Sequence, residues 1–332
     1  MRSDEYPIVR HILDGGSPKA HVFHLDVLLN GTSRGHALLG PTMYMDHGRA
    51  ISPLGAIRCI ADVNRTATFL RGVHEAIRDV LARTRRRPLQ VLDAGCGPYA
   101  ALTLPLLSQF DEGQIHLDCV DMHPSSCEQV VRTARAFRQE CVHVICGDVM
   151  RHPEVRRRLY DVIVTETLYS ALLQEPQAAI TASLAPLVRP DGAWVPASVH
   201  VRAYLADRSS RENVETEHVG QIAALSPASA QELVEQGIDR TFAIPRSVQH
   251  DERERKLMLG TSIDVYGAHM LREEGALLTS AAPFGRMPVA PRPETVHIRY
   301  RPGGEVDEVK IEWGSSDDVS ESSRRRISSS PP

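Results

Sequence analysis

The chain has 332 residues, of which 42% are hydrophobic and 24% are charged, so it is a globular protein long enough for two domains. Its formal net charge is −4, which gives no electrostatic basis for a nucleic-acid partner. The sequence has no apolar run of about 18 residues, no signal peptide and no C-x-x-C pair among its six cysteines, which predicts a cytoplasmic protein without a membrane partner.

Residues 1–56 are expected to form an N-terminal segment that covers the substrate. Residues 43–46, Met-Tyr-Met-Asp, combine apolar side chains with one charge, which suits a lid over a binding site. The histidines of this segment, such as His21 and His24, have no third converging ligand that the sequence identifies. We therefore predict no metal site.

A long amphipathic helix is predicted over residues 57–81, because apolar side chains recur there every three or four positions. Asp62 and Arg65 lie near its start. Two interpretations of Arg65 stay open at this point. It forms a surface pair with Asp62, or it points at a carboxylate in the next domain.

Strands and helices alternate from residue 89 to residue 195, which predicts right-handed βαβ units and a Rossmann-like α/β fold with a parallel sheet. Ligands bind at the carboxyl ends of the strands in such a sheet. Each of four consecutive strands ends at or beside an acidic residue: Asp93, Asp121, Asp148 and Glu166. We therefore expect these four side chains to share one site.

The first of these strands runs into a glycine-rich turn, Asp93-Ala-Gly95-Cys-Gly97. Gly95 and Gly97 allow a sharp turn and a close approach of a ligand to the backbone. Asp93 would repel a pyrophosphate but would attract a cationic centre, and S-adenosylmethionine (SAM) carries both a sulfonium and an ammonium group. The stretch resembles motif I, D-x-G-x-G, of the class I SAM-dependent methyltransferases.

The other acidic residues have candidate tasks in binding SAM. Asp121 can accept hydrogen bonds from both ribose hydroxyls through its two oxygens. Asp148 can accept a hydrogen bond from the adenine amino group, while the backbone N–H of Val149 faces a ring nitrogen. The alternative for Asp148 is a turn or a helix cap, because aspartate is favoured at both.

Glu166 and Glu175 are nine residues apart, so on one helix they would face opposite ways. They converge only if the segment between them folds back as a loop, and Pro176 disfavours helical angles at Glu175. Two converged carboxylates would bind a cationic or N–H-bearing acceptor, and one of them could act as a base. Tyr169, between them, either lines the pocket or only packs within the loop.

Residues 198–313 are predicted to be β-rich, with a helical insertion at about 207–256. The sequence Pro-Gly-Gly-Glu at residues 302–305 is typical of a hairpin turn between the last two strands. Residues 314–332 are rich in Ser, Asp and Arg, so we expect a disordered tail.

Three spaced motifs resemble those of the protein arginine methyltransferases. They are Asp62-Val-Asn-Arg65-Thr66 before motif I, the double-glutamate loop from Glu166 to Glu175, and Leu187-Val-Arg-Pro190-Asp-Gly192-Ala-Trp-Val-Pro196 after it. The resemblance implies a SAM-binding domain over residues 57–197 and a C-terminal antiparallel, barrel-like β domain. It also implies that Arg65 holds the SAM carboxylate, that the two glutamates hold the acceptor, and that the protein is a homodimer.

The family's Thr-His-Trp tripeptide is absent from the sequence. Bacterial natural-product enzymes share this architecture, and some of them methylate carbon 3 of indoles. We therefore expect methyl transfer to a nitrogen or an activated carbon of a small-molecule, natural-product-type acceptor, with indoles as candidates. A protein arginine N-methyltransferase and a non-catalytic SAM-fold scaffold subunit are the alternatives.

Overall fold

The computed structural model describes residues 7–15, 40–137, 139–207, 216–249, 253–273 and 276–315. The helices are α1 Pro7–Leu13, α2 Pro53–Ile60, α3 Val63–Arg83, α4 Pro124–Ala136, α5 Pro153–Arg156, α6 Gln177–Leu184, α7 Ala230–Gln236 and α8 Arg246–Gln249. The strands are β1 Met43–Met45, β2 Gly48–Ala50, β3 Leu89–Ala94, β4 Ile115–Asp121, β5 Val142–Cys146, β6 Tyr160–Thr165, β7 Val188–Val195, β8 Ser198–Asp207, β9 Thr216–Leu225, β10 Ile238–Ala243, β11 Arg255–Tyr266, β12 His269–Leu271, β13 Ala282–Arg286, β14 Thr295–Tyr300 and β15 Lys310–Gly314.

Strands β3 to β7 form a parallel sheet in the spatial order β5-β4-β3-β6-β7. The chain starts in the middle at β3, moves outward through β4 and β5, and returns to add β6 and β7 on the other side. The direction of strand addition therefore reverses beside β3. Open α/β sheets bind ligands at the carboxyl ends of the strands next to such a reversal. The Rossmann-like α/β fold predicted from the sequence is confirmed.

The helix predicted over residues 57–81 is divided into α2 and α3. Helix α2 begins after Ser52, whose hydroxyl accepts a hydrogen bond from Gly55 N–H, and it ends at Ile60. The Asp62 carboxylate accepts a hydrogen bond from Arg65 N–H at 3.3 Å, so Asp62 is the N-cap of α3. An aspartate cap starts a new helix inside an otherwise continuous apolar pattern.

No α-helix follows the glycine-rich turn, although the apolar run after it predicts one. Ala100 adopts a left-handed backbone with φ 44°, and only a 3-10 helix forms, at Leu104–Gln109. Pro105 explains the difference, because a proline inside an α-helix removes one hydrogen bond and clashes with the preceding turn. The glycine-rich turn is therefore held in place by hydrogen bonds to β4 and not by an α-helix that follows it.

The C-terminal part of the described chain forms two antiparallel sheets. One has the order β12-β11-β8-β9, with β13 paired to β11, and the other has the order β10-β14-β15. Residues 207–256 are predicted as a helical insertion, but besides α7 they contribute β9 and β10 to these sheets. The predicted hairpin between the last two strands is confirmed by the pairing of β14 with β15. The predicted tail at 314–332 lies almost entirely outside the described residues.

Strands β1 and β2 form a short hairpin that packs against the loop between Glu166 and Glu175. Gly48 has φ +128°, and a Cβ there would come within 2.8 Å of the Gln174 carbonyl oxygen. Only glycine therefore allows this close approach. Helix α3 buries Phe69, Leu70 and Val73 in a core shared by both parts of the molecule. Among the described helices, none is both long enough and apolar enough to span a bilayer.

Candidate active site

A cavity lies at the carboxyl ends of β3, β4 and β6, beside the point where the strand order reverses. It holds about 1180 Å³ of space free of protein atoms, measured out to its open mouth. Its lining includes nine of the ten residues singled out from the sequence: Arg65, Asp93, Gly95, Gly97, Asp121, Asp148, Val149, Glu166 and Glu175. The shared site expected from four strand-end acids is therefore present in the geometry.

The glycine-rich turn forms the floor of the cavity and is tied to β4. The N–H groups of Gly95 and Cys96 donate to the Val120 carbonyl oxygen at 2.9 and 3.0 Å. Gly95 and Gly97 have φ of 81° and 65°, which favour glycine. A Cβ at Gly95 would lie 2.6 Å from Cγ2 of Thr167, so a side chain here would collide with the loop after β6.

Asp93 is 3% exposed and faces the cavity from the end of β3. The Thr103 hydroxyl donates to its Oδ2 at 2.6 Å. Burial raises the pKa of Asp93 to about 7, and the hydrogen bond from Thr103 opposes that shift. Within the described part of the chain, only the hydrogen bond from Thr103 offsets the cost of burying the charged carboxylate. A cationic ligand would therefore stabilise that charge.

Asp121 ends β4, and both of its carboxylate oxygens accept backbone hydrogen bonds. Gly97 N–H donates to Oδ2 at 2.9 Å and His123 N–H donates to Oδ1 at 2.8 Å. Burial raises the pKa of Asp121, while these two N–H groups lower it. The side chain therefore connects the glycine loop to the start of α4.

Asp148 serves as a turn residue, the alternative that the sequence left open, and it also lines the cavity. Its Oδ1 accepts a hydrogen bond from Met150 N–H at 2.9 Å, and its Oδ2 lies 3.8 Å from Arg151 Nε. Val149, which follows it, is 6% exposed. The contact of Asp148 with adenine stays a prediction. It would be made through Oδ2, because Oδ1 already accepts the hydrogen bond from Met150 N–H.

The segment from Glu166 to Glu175 folds back as a loop and brings both glutamates to the cavity. Ala171, Leu172 and Gln174 have φ between 58° and 59°, in the left-handed region that residues other than glycine rarely adopt. This convergence is the arrangement that the nine-residue spacing requires if the two carboxylates act together.

The β domain holds this unusual loop in place. The Thr261 hydroxyl accepts a hydrogen bond from Ala171 N–H at 2.8 Å, and the Tyr300 hydroxyl donates to the Ala171 carbonyl oxygen at 2.9 Å. Gly303 N–H donates to the Leu172 carbonyl oxygen, and Gln174 N–H donates to that of Gly304. The positions of the two glutamates thus depend on residues in or beside both antiparallel sheets.

Arg65 forms an ion pair with Glu166 inside the cavity, and its Nη1 donates to the Cys59 carbonyl oxygen at 2.9 Å. Of the two interpretations from the sequence, the structure favours the contact with a carboxylate after β6. The Arg65 Nε is buried without a hydrogen-bond partner among the described residues. Burial raises the pKa of Glu175 to about 7, against the charges of Arg65 and Arg49.

Tyr169 does not reach the cavity. Its side chain is 40% exposed, and it is not among the residues that line the site. The interpretation of Tyr169 as a residue that packs in the loop therefore agrees with the geometry better than a catalytic role does.

Arg49 and His123 also line the cavity, although neither was singled out from the sequence. Arg49 lies in β2, and His123 lies just before α4, where its Nε2 is 2.9 Å from the Ile51 carbonyl oxygen. A three-residue strand has no periodicity, so Arg49 gives no pattern signal. The single hint is that the chain places a charge beside a glycine in the predicted lid.

Outside the cavity, His116, Asp118 and His143 come close enough together to hold a metal ion, although the sequence predicts no metal site. His116 Nε2 and His143 Nδ1 lie 3.1 and 3.2 Å from Asp118 Oδ1. Arg158 Nη1 lies within 3.1 Å of both Asp118 oxygens and 3.3 Å from His116 Nε2. The guanidinium therefore already compensates the buried carboxylate where a cation would sit, and we assign the cluster a structural role.

Comparison with known proteins agrees with this geometry. Residues 91–192 match the family model described as "Methyltransferase domain". The Trypanosoma brucei PRMT1 enzyme–prozyme heterotetrameric complex with AdoHcy is 13% identical, with a TM-score of 0.53, and the match covers 79% of this chain and 93% of that one. A PRMT6–SAH crystal structure is 11% identical, with a TM-score of 0.52, over 78% of this chain and 98% of that one.

No curated protein matches the chain. The two solved structures show a shared fold, and the domain match over residues 91–192 adds the class of activity. Residues 91–192 thus match a methyltransferase domain, as the sequence predicts, and the two solved structures that share the fold are described with AdoHcy or SAH.

Proposed function

We propose that the protein transfers the methyl group of SAM to a nitrogen or an activated carbon of a small, N–H-bearing acceptor, with indoles as candidates. The observation that supports this proposal is the convergence of Glu166 and Glu175 on the cavity that also contains the glycine-rich turn and Asp93. Such a cavity brings a cation-binding end next to an N–H-binding end.

The residues at the donor end fit SAM. The bare backbone at Gly95 and Gly97 allows close approach, and Asp93 is a buried carboxylate for which no cation among the described residues offsets the cost of burial. The sulfonium and ammonium groups of SAM would supply that compensation. The unpartnered Nε of Arg65 is available for the SAM carboxylate, which is the role that the family resemblance implies.

Bound SAM supplies an electrophilic methyl group, so the protein has to align the acceptor and manage one proton. Glu166 would orient the acceptor N–H once Arg65 turns to the SAM carboxylate. Glu175 has a pKa of about 7, which suits a group that takes up a proton near neutral pH. Glu175 would take up the proton that the acceptor loses when it receives the methyl group.

Replacement of Glu166 tests this assignment. We expect Glu166→Gln to bind S-adenosylhomocysteine (SAH) with an affinity within about threefold of the wild type, but to lose about 100-fold or more in turnover, because the acceptor N–H is no longer oriented by a carboxylate. Calorimetry with SAH gives the affinity. Transfer of tritiated methyl from SAM to a panel of indoles and other small N–H compounds gives the turnover.

Glu128→Gln is the matched control, because Glu128 is exposed on α4 and lies outside the cavity. It should leave both measurements unchanged. Wild-type turnover in the Glu166→Gln protein would remove the loop from the mechanism.

A protein arginine N-methyltransferase is the second candidate, because both solved structures reported above carry PRMT names. The same labelling experiment with arginine-rich peptides separates the two. Label in peptides and in none of the small compounds would favour the arginine enzyme. A scaffold subunit, the third candidate, predicts no heat with millimolar SAM.

The assembly state, the cellular location and the domain limits stay predictions. A homodimer is expected from the family resemblance, and the T. brucei PRMT1 complex is described as heterotetrameric. Light scattering on the purified protein would test it.

A further inference from the structure

Arg49 is held firmly beside the acceptor end of the cavity. Its backbone N–H donates to the Gln174 carbonyl oxygen at 2.7 Å, and its Nη2 donates to Gln174 Oε1 at 2.7 Å. Gln174 Nε2 in turn donates to Glu305 Oε2 at 2.8 Å. The guanidinium is therefore positioned by a short chain of hydrogen bonds. The chain begins at Glu305, in the turn after β14, and passes through Gln174, the residue before Glu175.

The Arg49 side chain still has an unmet hydrogen bond. Its Nε is buried and has no hydrogen-bond partner among the described residues, although the residue lines the cavity. A buried, charged N–H without an acceptor is costly, so a ligand oxygen bound here would be stabilised. Arg65 shares both properties, a buried Nε without a partner and a place in the cavity lining.

The charges at the acceptor end do not favour a cationic acceptor. Arg65 neutralises Glu166, and Glu175 is only partly ionised near neutral pH because burial raises its pKa to about 7. Before SAM binds, Arg49 and Arg65 together therefore balance or exceed the charge of the two glutamates. Once Arg65 turns to the SAM carboxylate, the sulfonium of SAM and Arg49 are the two cations beside the glutamates. A guanidinium acceptor would add a third cation there, whereas an anionic group would be attracted.

We propose that Arg49 binds a carboxylate of the acceptor, so that the substrate class is small molecules that carry both an N–H-bearing ring or amine and an acidic group. The inference rests on the proposed function. Arg65 and Arg49 then bind one carboxylate each, that of SAM and that of the acceptor.

The test uses full-length protein loaded with SAH and matched pairs of an acid and its amide, such as indole-3-acetate with indole-3-acetamide and imidazole-4-acetate with its amide. Calorimetry measures the affinity for each. We expect at least one acid to bind about tenfold or more tightly than its amide, the usual effect of one charged hydrogen bond. Arg49→Gln should reduce that ratio to about one, and Arg49→Lys should keep part of it because it keeps the charge.

Arg58→Gln is the matched control, since Arg58 is exposed on α2 and does not line the cavity. It should keep the acid preference. SAH affinity and the thermal unfolding midpoint, measured on every variant, show that Arg49→Gln is folded and binds the cofactor product. The proposal is overturned if no acid binds better than its amide, if the preference survives in Arg49→Gln, or if an arginine-rich peptide binds better than every acid.

Failure of the proposed function gives a different result. If SAH itself does not bind the wild-type protein, the methyl-transfer proposal and this one fail together. If SAH binds and the acid preference is missing, only the role of Arg49 is lost.

Discussion

The donor end of the cavity is formed by turns that follow strands of one sheet, whereas the acceptor end is assembled from three distant parts of the chain. Asp93 and Asp121 occupy the ends of neighbouring strands β3 and β4. Glu175 and Arg49 depend on a strained loop, a short hairpin and contacts from the β domain. The sheet fixes where a cofactor sits, and the appended parts determine what can be placed beside it.

The largest effect that would sharpen this comparison is expected at Asp93. Asp93→Asn should weaken SAM and SAH binding by about 100-fold, because it removes a buried carboxylate of the cavity that would pair with the ammonium group common to both ligands. The same change should stabilise the ligand-free protein at pH 8. Removing a buried charge that lacks compensation should raise the unfolding midpoint, by roughly 2–4 °C for each kcal/mol gained.

The pH dependence follows from the sign of the shift. The pKa of Asp93 is raised from its usual 3.8 to about 7, so between these values the folded state binds more protons than the unfolded state. The contribution of Asp93 to the free energy of unfolding is therefore complete below about pH 4 and is lost as the pH rises through about 7. The difference between Asp93→Asn and wild type should therefore grow over that window. Asp307→Asn, an exposed control, should show no such trend.

The same contrast explains how far the sequence predicts the site. Carboxyl ends of parallel strands meet at one edge, so Asp93, Asp121 and Glu166 could be brought together from their positions after buried strands. The acceptor end gives no such rule, because the left-handed backbone at Ala171 is held by Thr261 and Tyr300, which lie 90 and 129 residues further along the chain. The prediction of an α-helix after the glycine turn was wrong, because Pro105 disfavours an α-helix there in spite of the apolar residues around it.

A change in the β domain should affect the acceptor end alone. Tyr300→Phe removes the hydrogen bond to the Ala171 carbonyl oxygen and leaves that buried group without a partner, at a cost of about 1–3 kcal/mol. We expect the loop to loosen and turnover to fall by about tenfold, while SAH affinity stays the same. Tyr266→Phe removes an exposed hydrogen bond to Asp79 and should change neither value. A parallel loss of SAH affinity in Tyr300→Phe would show that the two ends are not separable.

The smallest effect is expected at Tyr169. Its ring lies in the double-glutamate sequence but is 40% exposed and outside the cavity lining, so Tyr169→Phe should change turnover by less than about twofold. Steady-state rates with the best acceptor from the indole and amine panel would measure it. A loss as large as that of Glu166→Gln would mean that the loop closes differently when both ligands are bound and carries the hydroxyl inward. Tyr169 therefore tests whether the acceptor end, unlike the donor end, changes its shape on binding.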